Sequence, residues 1–185
     1  MELALALQGA IVTGIDNSEI ALNIANDKSK KLKLSNCSFI NVDVSSFSDD
    51  HFDFVLMNDV TEHLSDRELD VIFTQIRRIL KYMGQVVIHT PNGMNLILKT
   101  DKSIFHSLYE IYRKVRGREH FHLSPVELYQ MQVHINVKSY RQLRKFLQRY
   151  GITKTKVIYD ISHKISFLTK FYSADMLVIG YLYEK

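Results

Sequence analysis

Only one cysteine, Cys37, occurs in the 185 residues. This excludes an intramolecular disulfide and any cysteine-rich metal cluster, and it agrees with a reducing, cytoplasmic setting. The simplest role for Cys37 is that of a small buried apolar residue on a strand. Long apolar runs are also missing. The opening MELALALQGAIVTGID carries Glu2 where a secretory signal has positive charge, is interrupted by Gly9 and Gly14, and ends at Asp16. That is short of the ~20 residues a spanning helix needs, so no targeting or transmembrane segment is expected. Neither sign of charge dominates: 24 Lys and Arg face 20 Asp and Glu, a formal balance of +4. The charges are dispersed except around 28–33 and 113–118. A surplus of this size is a set of solvated faces, so no nucleic acid partner is expected. Internal repeats and low-complexity stretches are absent too.

What is present is a regular alternation. With 46% apolar residues the chain can bury one sizeable core, and one globular domain over 1–185 is expected. Leu3 to Leu7 are good helix formers stopped at Gly9, and 10–15 is a β-branched run suited to a buried parallel strand. Ser18 is a natural N-cap for a helix to about Lys31, with Ile20, Ala21, Ile24 and Ala25 on its apolar face. Strands follow at 38–42 and 53–57, ending in Asp43 and in Asn58 with Asp59. Ser65 and Glu68 have capping-box spacing at the start of a helix over 65–81, and Gly84 opens a strand over 85–89. The rhythm then breaks over 94–136, an insertion suited to a lid. A helix at 138–150 closed by Gly151 precedes two β-rich runs, 155–159 and 176–183, which suit an antiparallel pair at a sheet edge. The expected fold is α/β: a Rossmann-like three-layer α/β/α sandwich with a mostly parallel sheet and a C-terminal antiparallel hairpin.

Ligands of open parallel sheets sit at the carboxyl ends of strands, and Asp16, Asp43 and Asn58 end three successive strands. A carboxylate after one strand can accept both hydroxyls of a ribose, and a second acid one strand on can accept the exocyclic amine of adenine. The set suits an adenosine-containing ligand, although each residue alone also serves as a cap or turn residue.

These segments resemble a known family. GAIVTGIDNSEIALNIAN is similar to the second strand and following helix of class I S-adenosylmethionine (SAM) dependent methyltransferases, and NVDV to their adenine-contacting strand end. FDFVLMNDVTEHL resembles the fourth strand and turn of the small-molecule branch that includes the ubiquinone-type O-methyltransferases. LKYMGQVVIHTPN and HINVKSYRQLRKFLQRYGI continue the likeness, which is weakest over 96–132. The resemblance implies SAM as cofactor, with Asp16 on the ribose, Asp43 and the Val44 backbone at the adenine, Asn17 shaping that side, and Asn58 lining the methionine side. It implies a methyltransferase acting on a small-molecule, lipid-like or glycan-type acceptor, at oxygen. The family's first strand and glycine-rich turn are not found before Glu2, so a domain lacking its N-terminal part is expected.

His63 follows the fourth family strand, where the acceptor approaches, and is the candidate base; structural capping near Ser65 is the alternative. His134, before the late helix, is a second substrate-side candidate, and His89 ends the fifth family strand. His120 and His122 with Glu119 lack the spacing of a ligand set, and no metal is expected. MNDV lacks the Asn-Pro-Pro-aromatic pattern of enzymes that methylate amines of DNA and protein. The basic, aromatic stretch 105–122 suits a lid gripping an anionic acceptor, an interfacial surface touching anionic lipid, or a solvated helix. Two rivals are a non-catalytic methyltransferase-like binding or scaffolding domain and a nicotinamide-dependent oxidoreductase; Asp43 and the closing β pair argue against the latter.

Overall fold

Helix α1 (Glu2–Leu7) stops at Gln8 and at Gly9, whose φ of 94° is free of the Cβ clash that other residues meet there. The computed structural model describes residues 1–93, 133–159 and 175–183, with isolated positions between 107 and 117. The chain divides into two units, Met1–Ser48 and Asp49–Lys185.

In the first unit, β1 (Val12–Ile15) and β2 (Cys37–Ile40) pair in parallel, with Val12 opposite Cys37 and Ile15 opposite Ile40. Helix α2 (Glu19–Lys31) connects them, and the Ser18 side chain caps it by accepting from the Ala21 N–H at 3.2 Å. The buried face of α2 is not the expected one. Ile20 and Ile24 are 74% and 52% exposed, whereas Leu22 and Ser29 are buried and Ala25 and Asn26 half-buried. Polar pairing sets the rotation. The Asn26 side-chain amide donates to the Phe39 carbonyl at 2.9 Å, and the Ser29 hydroxyl lies 3.0 Å from the Cys37 sulfur. Cys37 is accordingly on a strand as expected, but half-buried and in polar contact. Asn36 donates to the carbonyls of Ala6 and Ala10, each at 2.8 Å, and so ties the end of α1 to the start of β2.

The second unit holds a four-stranded sheet in the order β3 (Phe52–Asn58), β4 (Leu80–Pro91), β6 (Asp175–Leu182), β5 (Ile152–Tyr159). β3 and β4 are parallel, and β6 runs antiparallel to both β4 and β5. The closing hairpin is thus present, with β5 at the sheet edge and β6 inside it. Helices α3 (Asp66–Ile79) and α4 (Tyr140–Gln148) each begin with a complete capping box, Ser65 with Glu68 and Ser139 with Gln142. α3 ends two residues before the expected position because Leu80 turns extended and pairs with Phe52. Met83 then adopts a left-handed φ of 61° where the register between β3 and β4 shifts.

The core of this unit lies where both helices meet the sheet. Leu69, Phe73 and Ile76 of α3 and Leu143, Phe146 and Leu147 of α4 pack with Val86, Ile88, Val178 and Leu182. The Phe73 and Phe146 rings meet edge to face, 5.0 Å between centroids. Each such side chain contributes roughly 1.5–3 kcal/mol by leaving water. Burial alternates strictly along β6, as a strand with one core-facing side requires. Most of the expected 94–136 insertion, including Phe105, Tyr109, Tyr112, Arg113 and Arg116, lies outside the described residues. Among the described residues no helix is long and apolar enough to cross a membrane.

Candidate active site

Asp16 is the first residue after β1, and Asp43 follows the end of β2. Since those strands are parallel neighbours, both acids fall at one edge of the first unit, the edge of their carboxyl ends. Each carboxylate is oriented by the chain that follows it. Asp16 Oδ1 accepts from the Ser18 N–H at 2.7 Å, and among the described residues its Oδ2 accepts nothing. Asp43 caps the 3₁₀ turn Val44–Ser46, accepting from the Ser45 N–H at 2.8 Å. The Ser45 hydroxyl, and then its N–H, hold the Asp43 carboxyl below the usual aspartate range. Asn17 is exposed beside Asp16, and Val44 is half-buried. Two fixed carboxylates on adjacent strand ends are acceptors of the kind a ribose diol and an exocyclic amine require.

In the second unit, Asn58 ends β3 opposite His89 of β4. Its amide donates to Asp59 Oδ2 at 3.1 Å. Asp59 has a left-handed φ of 53°. It is held there twice by one residue, since its N–H donates to the His89 carbonyl at 3.1 Å and its Oδ1 lies 2.7 Å from His89 Nδ1.

The chain then makes a 3₁₀ turn, Thr61–His63. Here the hydrophilic pattern misleads, because Glu62 is only 1% exposed. Its Oε2 accepts from the hydroxyls of Thr90 at 3.0 Å and Thr61 at 3.4 Å. The next residue, His63, points its Nδ1 at the Val133 carbonyl, 3.2 Å away. A carbonyl only accepts, so Nδ1 is the donor, and among the described residues Nε2 makes no hydrogen bond. Two further bonds join the same segments: the Asn136 N–H donates to the Glu62 carbonyl at 3.0 Å, and the Asn136 side chain donates to the Leu64 carbonyl at 2.8 Å. Lys138 reaches Asp66 at 2.7 Å and, with Asn136, holds that carboxyl below its ordinary value. The consequence is that His134 is brought beside His63, ring centroids 4.8 Å apart. The ligand atoms of Glu62, His63 and His134 all lie within 4.8 Å of one another.

The structure thus pairs Asp16 with Asp43 in one unit, and places His63, His134 and Asn58 in the other. His120, His122 and Glu119 lie outside the described residues. Sequence reasoning missed the Asp59–His89 pair and the burial of Glu62 by Thr90. The Asp-x-x-Glu-His spacing carried no signal of either, because both depend on residues of the neighbouring strand.

Residues 1–152 match a family model described as a methyltransferase domain. The chain therefore belongs to the methyltransferase-domain family, with the fold of class I SAM-dependent methyltransferases, whose cofactor is SAM. Among solved structures, a SAM-dependent methyltransferase from Methanosarcina mazei is 19% identical with a TM-score of 0.65, the match covering 100% of this chain and 88% of that one. The PH0226 protein of Pyrococcus horikoshii is 21% identical with a TM-score of 0.63, covering 97% and 75%. A phosphoethanolamine N-methyltransferase of Haemonchus contortus, solved with phosphomonomethylethanolamine and S-adenosylhomocysteine, is 17% identical with a TM-score of 0.65, covering 99% and 46%. No curated protein matches the chain.

Proposed function

We propose that this protein transfers the methyl group of SAM to an oxygen of a small-molecule, lipid-like or glycan-type acceptor. The observation that carries the cofactor part is the pair of fixed carboxylates, Asp16 and Asp43, at the carboxyl ends of adjacent parallel strands. Asp16 would hold the ribose hydroxyls through its free Oδ2. Asp43 and the Val44 backbone would meet the adenine, with Asn17 beside them, and Asn58 would line the methionine side. The bound cofactor supplies an electrophilic methyl on sulfur, and the protein's task is to position the acceptor and take up its proton. His63, whose Nδ1 is engaged by the Val133 carbonyl and whose Nε2 has no partner among the described residues, is the group we assign to proton uptake, with His134 beside it on the acceptor side. The single cysteine supports a cytoplasmic setting.

The test is transfer of label from methyl-labelled SAM to a panel of hydroxyl-bearing and amine-bearing small molecules. Label in hydroxyl acceptors supports the proposal, and transfer confined to amines overturns the oxygen assignment.

A further inference from the structure

We infer that Glu62, His63 and His134 form a binding site for one divalent transition-metal ion of the zinc(II) type. The sequence expectation of no metal rests on His120, His122 and Glu119; this trio has no local signature, because seventy positions separate His63 from Val133, the neighbour of His134.

Three observations carry the inference. First, the ligand atoms lie within 4.8 Å of one another. Ligands bound at about 2.0–2.1 Å around a tetrahedral ion stand a little over 3 Å apart, so small side-chain rotations close the site. Second, the donors match the ion. Two imidazole nitrogens and one carboxylate oxygen suit zinc, iron(II) or cobalt(II), whereas magnesium and calcium call for all-oxygen sets. His63 is already oriented as metal-ligating histidines are, its Nδ1–H donated to a backbone carbonyl and its Nε2 without a partner among the described residues. Third, Glu62 is a carboxylate with 1% exposure, and among the described residues no Lys or Arg pairs with it. Both hydrogen bonds it accepts from side chains fall on Oε2, and among the described residues Oε1 is unpartnered. Burying a carboxylate group in its ionised form without a counter-charge is costly, and a cation at the trio would offset that cost.

Three protein ligands leave at least one coordination position open, as in catalytic rather than structural sites. An oxygen of the acceptor is the ligand that position would take. That catalytic role rests on the proposed function, whereas binding of the ion does not. With an ion bound, His63 would serve as a ligand in place of its role as base, and the acceptor oxygen, polarised by the ion, would release its proton to solvent.

The experiment is calorimetric titration of zinc chloride, and separately magnesium chloride, into chelator-stripped protein and into the variants His63→Ala, His134→Ala and Glu62→Gln. S-adenosylhomocysteine is titrated into each as a separate readout of the cofactor site. Cobalt(II) absorption in the visible range reports the nitrogen and oxygen ligand set directly. The expected result is one zinc per chain, at least 100-fold tighter than magnesium, weakened 100-fold or more in each histidine variant with the cofactor affinity unchanged. Glu62→Gln is read only where its melting transition shows it folded; the two histidine variants, at less buried positions, keep the test decisive. No zinc binding by the unaltered chain, or zinc binding that survives both histidine changes, overturns the site. Loss of cofactor binding with zinc binding retained overturns the methyltransferase proposal and leaves the metal site standing.

Discussion

Asp59 and His89 are joined by both backbone and side chain: the Asp59 N–H donates to the His89 carbonyl at 3.1 Å, and Asp59 Oδ1 lies 2.7 Å from His89 Nδ1. The double clip holds Asp59 at a φ of 53°, a conformation that aspartate and asparagine tolerate and β-branched residues do not. Asp59→Asn should therefore lower stability by well under 1 kcal/mol, and Asp59→Val by about 1–3 kcal/mol. Urea denaturation of the two variants checks this, and equal losses would contradict the strain argument.

Tyr150 carries a second coupling of this kind. Burial, followed by its hydrogen bond to Asp70, pushes its phenol up from 10.0 to about 12. A proton held more tightly in the folded state contributes stability that is complete below pH 10 and is lost as pH rises through 12. The melting temperature should fall between those values in the unaltered protein, and fall less in Tyr150→Phe. Ultraviolet titration of phenolate, compared between the two proteins, gives the value directly.

Glu68 shows the opposite sign. The Ser65 hydroxyl, and then the Ser65 N–H, hold its carboxyl below the ordinary 4.5. The stability this capping box contributes is present above that value and is lost as pH falls through the lower folded one. Glu68→Gln retains the box but not the titration, so its acid melting curve should be flatter than that of the unaltered chain below pH 4.5.

Phe73 is fully buried between Phe146 and Tyr150, with ring centroids at 5.0 and 5.8 Å. Phe73→Ala should cost about 3–5 kcal/mol through lost transfer energy and the cavity left behind. Gly180→Ala acts by overpacking, because a Cβ there would stand 2.5 Å from the Ile152 side chain, and a loss of about 1–3 kcal/mol is expected. Chemical denaturation measures both.

How much the chain disclosed in advance followed the range of each interaction. The Ser65–Glu68 box spans three positions and was legible as spacing alone. The acids at Asp16 and Asp43 were legible because strand ends are marked by where β-branched runs stop. The rotation of α2 was not, since Ile20 and Ile24 have helical spacing but the Asn26 and Ser29 bonds to β2 decide which side faces inward. The burial of Glu62 was not legible either, because it depends on Thr90, 28 positions away on the adjacent strand. The meeting of His63 with His134 depends on the Val133 carbonyl, which accepts from the His63 ring, and on the Asn136 N–H, which donates to the Glu62 carbonyl, and no local pattern encodes either.

The central claim, a cofactor held by Asp16, is tested most directly by calorimetric titration of S-adenosylhomocysteine into the unaltered chain and into Asp16→Ala. One saturable site per chain, weakened about tenfold to a hundredfold by loss of hydrogen bonds to a charged acceptor, is the predicted result. Absence of binding to the unaltered chain, or equal affinity in the variant, would contradict it.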